Sequence, residues 1–401
     1  MEVPRPNPDF RKLWGGQAIS HLGSSVTSTA LPLAAIALHP TPFQMGLLSG
    51  SGAVVILVFG LFAGAWADRL RRRPILIVAD LGRAAVLGSI PLAAMLHRLD
   101  MRHLYFAAAA GSLLTILFEV SFEAYLPSLV ESDELVDANG KMALASSAAD
   151  VAGPGIAGLL VDWITAPIAI LLDAVSFLVS AFSLALIRKP EPKPEPSPHP
   201  DMLREITEGL RASWTHPILR VLLFRSAAAA FFLGFGGALF MLFAVTVLGV
   251  RPALLGVLIS VGGATSLCGA FAAPRLVARF GLGPTIVGAA FVTGITMLVP
   301  TLAHGPILLG VAQLFDMAWP IYNINELSLR QAVTPDPLRG RVNSAMHLLF
   351  SGILPVGSFV GGILAGHIGV RTAMFVGASG YLLTTLLLFF SPIRQLKKLP
   401  V

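Results

Sequence analysis

The sequence predicts an all-α membrane protein, with twelve transmembrane helices in two six-helix halves. Three observations carry that expectation. The chain has 401 residues, 55% hydrophobic and only 12% charged, against about 25% charged in an ordinary soluble domain. Its mean hydropathy is +0.77, and run after run exceeds the roughly 18 apolar residues that suffice for a span. The basic residues also segregate by loop. Of 28 Lys and Arg, Arg83 and Arg225 fall well inside spans, four (Arg98, Arg102, Arg251, Arg371) lie in loops or at span ends on one side, and 22 lie in loops or at span ends on the other. That asymmetry predicts a cytoplasmic N-terminus and, with an even number of spans, a cytoplasmic C-terminus. It also accounts for the net charge of +6 without nucleic acid.

Read between polar breaks, the spans are 11–38, 44–67, 74–97, 103–127, 139–162, 166–188, 217–249, 253–274, 282–303, 306–330, 340–367 and 370–391. The opening "MEVPRPNPDFRKLW" lacks the short apolar core and cleavage site of a removable signal peptide, so span one is expected to stay in the membrane. Span one carries a polar stripe of Gln17, Ser20, His21, Ser24, Thr27 and Ser28, expected to face water or cargo. A charge in the bilayer costs roughly 2.5–3.5 kcal/mol on insertion scales, so each is a functional candidate. Asp80 and Arg83 in span three are three apart and can pair. Glu119 and Glu123 in span four share a face, one turn apart. Asp150 sits mid-span in span five, beside the cluster Gly153, Pro154, Gly155 and Gly158. Asp173 in span six reads as structural.

Between the halves, 189–216 forms a linker whose "PEPKPEPSPHP" favours an extended polyproline spacer. Asp201 can then cap a short helix with Met202, Ile206 and Leu210 on one face, suited to lying at the membrane surface. The linker divides the chain into an N-terminal half, 1–188, and a C-terminal half, 217–401. In span seven, Arg225 can snorkel to the interface or meet an anionic cargo, and Phe235 belongs to a group of aromatics that can line an apolar pocket. Cys268, the single cysteine, reads as a small buried hydrophobe. Span ten places Asp316, Trp319, Asn323 and Glu326 along one helical face. Span eleven repeats span five: Asn139, Gly153 and Gly158 fall on Asn343, Gly357 and Gly362 at a constant offset of 204. Two copies of a six-span unit suit a transporter whose halves rock about a central site.

The motifs give this a family resemblance. "GLFAGAWADRLRRRP" resembles the G-x-x-x-D-R-x-G-R-R signature of the major facilitator superfamily. Gly64, Asp68, Arg69, Arg72 and Arg73 match, and Arg71 replaces the usual glycine. "GPGIAG" resembles the antiporter motif G-P-x-x-G-G through Gly153, Pro154 and Gly158, with Ala157 where glycine is usual. "LLDAVSFLVSAFSLALI" and "NELSLRQAVTPDPLRGRVN" resemble a branch that includes macrolide-efflux and enterobactin-exporter proteins. The resemblance implies a secondary active exporter in the cytoplasmic membrane, working by alternating access with protons as the counter-ion. The cargo is a small apolar or amphiphilic molecule; a dedicated metabolite such as a siderophore and a lysolipid are the alternatives. A non-transporting receptor is a further class, against which the mid-membrane acids argue. Asp316, Glu119, Asp150 and His21 are the proton candidates, and Glu123 is expected to pair with the loop arginines. No P-loop, metal-ligand cluster or catalytic constellation is present, so the expectation is no ATP, no cofactor, no metal site and no enzymatic activity, in a monomer within the lipid bilayer.

Overall fold

The computed structural model describes residues 7–69, 71–191 and 202–399. They form fourteen α-helices: α1 (Pro8–Ile36), α2 (Pro42–Arg69), α3 (Arg72–Met95), α4 (Met101–Leu129), α5 (Leu135–Trp163), α6 (Ala166–Ala185), α7 (Met202–Thr215), α8 (Pro217–Leu242), α9 (Pro252–Phe280), α10 (Leu282–Leu298), α11 (Pro306–Leu314), α12 (Ala318–Val333), α13 (Arg339–Ile368) and α14 (Val370–Phe389). The helix starts follow local chemistry. Asn7 Oδ1 accepts from the Asp9 and Phe10 amides, and Asp100 Oδ1 accepts from the His103 amide. Proline opens α8, α9 and α11, where its missing N–H costs nothing. Gly281 and Gly369 turn the chain between successive helices at φ of 88° and 85°, a region that side chains disfavour.

Among the described residues, ten stretches of helix are long and apolar enough to cross a membrane. α1 and α2, 29 and 28 residues long, complete the expected twelve, with α11 and α12 together making one span. The ends agree with the sequence reading to a few residues, except that α9 runs on to Phe280. The polyproline stretch and the Asp201 cap lie outside the described residues. The helix after them is present as α7, but it is docked on protein rather than lying free. Gly209 brings its backbone against the Arg341 carbonyl, Glu208 pairs with Arg341, and Leu210 joins the core beneath. Cys268 is exposed rather than buried. It shares a stripe of α9 with the exposed Leu267 and Phe271, while Gly262, Thr265 and Gly269 on another side make the helix contacts.

The chain divides into two compact units. Unit one holds Met1–His39, Val54–His199 and Pro252–Ser260; unit two holds Pro40–Ala53, Pro200–Arg251 and Val261–Val401. In unit one, the Phe10, Leu13, Leu76, Phe118 and Tyr125 side chains form a core with the ends of α5 and α6. In unit two, Leu219, Leu222, Ile286, Tyr322, Leu329 and Met346 do the same.

Both units are built around the repeated glycines. In α5, Gly153 packs against Ser25 of α1, and Gly158 packs against the start of α9. A methyl group at Gly158 would lie 3.0 Å from the Gly256 Cα and closer still to the Pro252 carbonyl. In α13, Gly357 packs against the Phe231 carbonyl of α8, and Gly362 packs against the start of α2, where an added methyl would lie 3.3 Å from the Gly46 Cα. The partners are themselves a repeat, since "PFQMG" and "PALLG" place Pro42 and Gly46 on Pro252 and Gly256. Each α5-type helix therefore uses its first glycine on one neighbour and its last on a proline-led helix start. Small residues at such crossings let backbones approach, which in lipid replaces the missing hydrophobic drive between helices.

The crossing has a direct test. Gly256→Ala puts a Cβ against backbone, where overpacking costs about 1–3 kcal/mol, and should lower the apparent melting temperature of purified protein. Gly288→Ala, in a helix with nothing within 4 Å of the new atom, should leave it unchanged or raise it, by up to about 1 kcal/mol of helix propensity. Equal melting of the two variants would remove the constraint assigned to Gly256.

Candidate functional site

The charges of unit one are gathered and mostly satisfied. Asp80 is fully buried and pairs with Arg83 one turn on. The Arg83 guanidinium sits between two rings, 4.1 Å from the Phe177 centroid and 4.3 Å from that of Phe118. Aromatic faces and an ion pair together let one charge stay inside the bundle. The stripe on α1 divides. Gln17 and Ser20 are buried against α6, where Gln17 Nε2 donates to the Ser180 hydroxyl at 2.8 Å. Ser24 reaches Asp173 at 3.5 Å, and Ser176 donates to the same carboxylate at 3.0 Å. Thr27 Oγ1 has no hydrogen-bond partner. His21 is half-buried, within electrostatic reach of Asp150 and Arg83. Glu119 and Asp150 are exposed side chains within their helices. In α5, Pro154 is buried beside Gly153 and Gly158, and the Gly155 amide donates to Ser260 of α9 at 2.9 Å.

The arginine-rich signature is used differently from expectation. The side chains of Gly64, Asp68 and Arg69 lie outside the described residues. Glu123 is exposed and pairs with none of the described arginines. Arg73 instead donates to the last carbonyls of α6, Leu184 at 2.9 Å and Ala185 at 2.7 Å. The acid at this point is Glu191, whose two oxygens accept from the Arg72 and Arg73 amides at 2.7 and 3.1 Å. A carboxylate on the free amides of a helix N-terminus is favoured by the helix dipole. Beside it, Asp9 accepts from Lys12 at 2.7 Å and from the Lys189 and Arg188 amides at 2.9 and 3.2 Å. Asn7 and Lys189 both donate to the Leu129 carbonyl at 3.0 Å. The chain leaving α6 thus clasps the ends of α1, α3 and α4. The sequence signal for Glu191 is modest: it is the first acid after span six.

Unit two contains a cavity lined by residues that the sequence singles out. The Asp316 face expected on one continuous helix is broken, because residues 315–317 form turns between α11 and α12. Pro320 explains the break, since it lacks the N–H that would bond the Asp316 carbonyl. Asp316 therefore turns toward α9. An added methyl at Gly262 would lie 3.3 Å from its Oδ2, Thr265 donates to the Gln313 carbonyl at 2.7 Å, and Ser266 lies 3.5 Å from the Asp316 carbonyl. Trp319, Asn323 and Glu326 turn the other way and line a cavity of about 250 Å³ with Arg225. The cavity thus joins four of the residues the sequence marks as cargo-facing. Ser226, Ala229, Tyr322, Arg330, Met346, His347 and Phe350 complete the lining, and no sequence pattern singles them out. Arg225 is 3% exposed. Its guanidinium lies 3.8 Å from the Tyr322 ring centre, and its Nη2 donates to the Tyr381 hydroxyl at 3.1 Å. Glu326 pairs with Arg330 at 3.6 Å. Phe235 is not at this cavity; it is buried against Gly361 and Gly377, within a cluster of Phe231 and Phe232. Among the described residues, no three of His, Cys, Asp or Glu gather to hold a metal ion.

Comparison with known proteins gives a consistent picture. The profile of a family described as transmembrane secretion effector matches residues 3–400. A multidrug efflux pump of Mycolicibacterium fortuitum is 25% identical over 93% of this chain and 93% of its own length. Macrolide efflux protein A of Streptococcus pyogenes is 23% identical over 97% of each. An uncharacterised MFS-type transporter of Bacillus subtilis is 26% identical over 94% of this chain and 92% of its own. Among solved structures, a bacterial homologue of the iron transporter ferroportin in an inward-facing state superposes with a TM-score of 0.77 at 18% identity, covering 96% and 98% of the two chains. The nucleoside transporter NupG gives 0.76 at 10% identity, covering 95% and 98%.

The clasp makes a pH-dependent prediction. Burial alone would raise the Asp9 carboxyl, but the hydrogen bonds from Lys12 and from the Lys189 and Arg188 amides outweigh it and hold it below the usual range. A carboxyl lowered by folding stabilises the folded state above its ordinary value of 3.8, and that contribution is lost as pH falls through the lowered value. Asp9→Asn should therefore melt earlier than wild type at about pH 7, with the gap closing as the solution is taken below that ordinary value. A gap that does not change with pH would contradict the assignment.

Proposed function

This chain belongs to the transmembrane secretion effector family of major facilitator transporters, and on that premise we propose that it is a proton-coupled exporter of small apolar or amphiphilic molecules. It works by alternating access, with both termini cytoplasmic, in the plasma membrane of a bacterial cell. Relatives named as a multidrug efflux pump and a macrolide efflux protein support export as the direction. The observation that carries the coupling is Asp316 at the break between α11 and α12. A broken span exposes backbone carbonyls at mid-membrane, and such breaks serve as ion sites when they line a cavity. Asp316 is the one acid at this break, next to Gln313, Thr265 and Ser266. It takes a proton in one state of the cycle and releases it in the other. Glu119, Asp150 and His21 are secondary proton sites in unit one. The Trp319–Arg225 cavity receives cargo.

The glycine crossings then act as contacts that must separate cleanly at each turn of the cycle, and the Glu191–Arg73 clasp holds α3 to α6 while they do. Asp316→Asn should abolish export driven by an imposed pH gradient in proteoliposomes, while energy-independent exchange of cargo persists. Gradient-driven export at the wild-type rate would reject Asp316 as the coupling acid. Gly158→Leu should abolish transport although the protein still inserts, because its side chain meets backbone at Pro252 and Gly256; normal transport would return that crossing to ordinary packing.

A further inference from the structure

We infer that the cavity between α8, α12 and α13 holds the anionic end of its cargo, so that the preferred substrate is an amphiphile with a single carboxylate-type group. The inference rests on the export reading for the identity of the bound molecule as cargo, and on the cavity's own charges for its chemistry. Three charged side chains, Arg225, Glu326 and Arg330, line the cavity together with His347 and the phenol of Tyr322. Glu326 is within electrostatic reach of Arg225 but pairs with Arg330, at 3.6 Å. Among the described residues, no carboxylate forms an ion pair with Arg225. A guanidinium stays protonated at every working pH, so the site cannot discharge itself by losing a proton.

The neutral partners of Arg225 are insufficient for its donors. Tyr322 offers its ring face and its hydroxyl and Tyr381 one hydroxyl oxygen, but the Arg225 Nε has no acceptor. The Arg330 Nε is likewise unpartnered, while its Nη1 meets the Met346 sulfur at 3.3 Å and Glu326 at 3.6 Å. Two buried guanidinium edges without acceptors, one of them on an arginine with no paired counter-ion, form a receptor for a planar anion. Glu326 cancels one of the two positive charges and repels further negative charge, which selects a monoanion. The opposite wall is apolar or aromatic through Trp319 and Phe350. At about 250 Å³, the cavity is below the roughly 300–1,000 Å³ that encloses a drug-sized ligand. It fits a head group and the first carbons of a tail, and leaves the rest of the cargo outside it.

The test uses one hydrophobe with two ends. Dodecanoic acid carrying a terminal nitrobenzoxadiazole fluorophore and the primary amide of the same molecule are titrated against the purified full chain, with binding read by fluorescence polarisation. Wild type should bind the carboxylate at least about tenfold more tightly than the amide, as expected when a charge-assisted bond replaces a neutral one. Arg225→Gln should bring the ratio close to one, mainly by weakening the carboxylate, and Arg225→Lys should retain part of it. A wild-type ratio near one or below overturns the inference whether or not any variant folds, and so does a ratio that survives Arg225→Gln. Export of both probes from energised proteoliposomes separates the two readings. If the carboxylate preference in binding is intact and neither probe is moved, the export reading fails and the anion site stands. If the amide is exported as well as the acid and bound as tightly, the export reading stands and the anion site fails.

Discussion

The architecture depends on how closely two helix backbones can approach where no side chain separates them. At Gly158–Gly256 and at Gly46–Gly362 there is no room for a single methyl group. Lipid tails are as apolar as leucine, so helices in a bilayer gain little by burying apolar side chains and depend on close packing and polar contacts. Glycine supplies the closest packing available, and these crossings fix where α5 meets α9 and where α13 meets α2. The other glycines of the repeat tie each of these helices to a second neighbour, Gly153 to α1 and Gly357 to α8. The rest of each unit is arranged around helices held at two points along their length.

Against that common frame, the two units handle buried charge differently. Unit one neutralises its arginine: Arg83 has Asp80 as a counter-ion and a phenylalanine on each face. Such a pair is costly to break and cancels its charge within the unit, although Asp80 Oδ2 and the Arg83 Nε have no hydrogen-bond partner. Unit two leaves Arg225 with tyrosines and, among the described residues, no ion-paired carboxylate, beside a cavity that already contains one matched pair. Similar burial with and without a counter-ion separates a structural charge from a receptive one. Asp316 falls in a third class, a carboxylate set at a break in the helix, where the Thr265 and Ser266 hydroxyls donate to the backbone carbonyls of Gln313 and Asp316.

Much of this is legible without coordinates. The apolar runs locate most of the helices to within a few residues, because in lipid the length and hydropathy of a segment decide its structure. The offset between Gly153 and Gly357 shows the duplication, and Arg225, Trp319, Asn323 and Glu326 all stand out as polar groups within apolar runs. The failures have identifiable causes. Periodicity treats a span as one straight helix, which puts Asp316 on the face of Trp319, whereas Pro320 turns it toward α9. Polarity is a poor guide to water access, so Gln17 reads as cavity-facing although it is buried on Ser180. Phe235 reads as a pocket aromatic, whereas Gly361 and Gly377 open a slot for it between helices. The family resemblance suggests Glu123 as the partner of the charged loop; Glu191, more than a hundred residues on, accepts from the Arg72 and Arg73 amides instead.

The sequence by itself determined the solvent, the number and ends of the spans, the duplication and the family, since each depends on composition or on residues at fixed spacing along one chain. The tertiary structure decided which polar groups are satisfied. Whether Arg83 or Arg225 is the receptive charge depends on distances to Asp80, Phe118, Phe177, Tyr322 and Tyr381, residues from helices far apart in the chain. A buried charge has the same insertion cost at either position. Only the geometry of its neighbours determines whether protein alone balances that cost or a bound anion is needed to complete it.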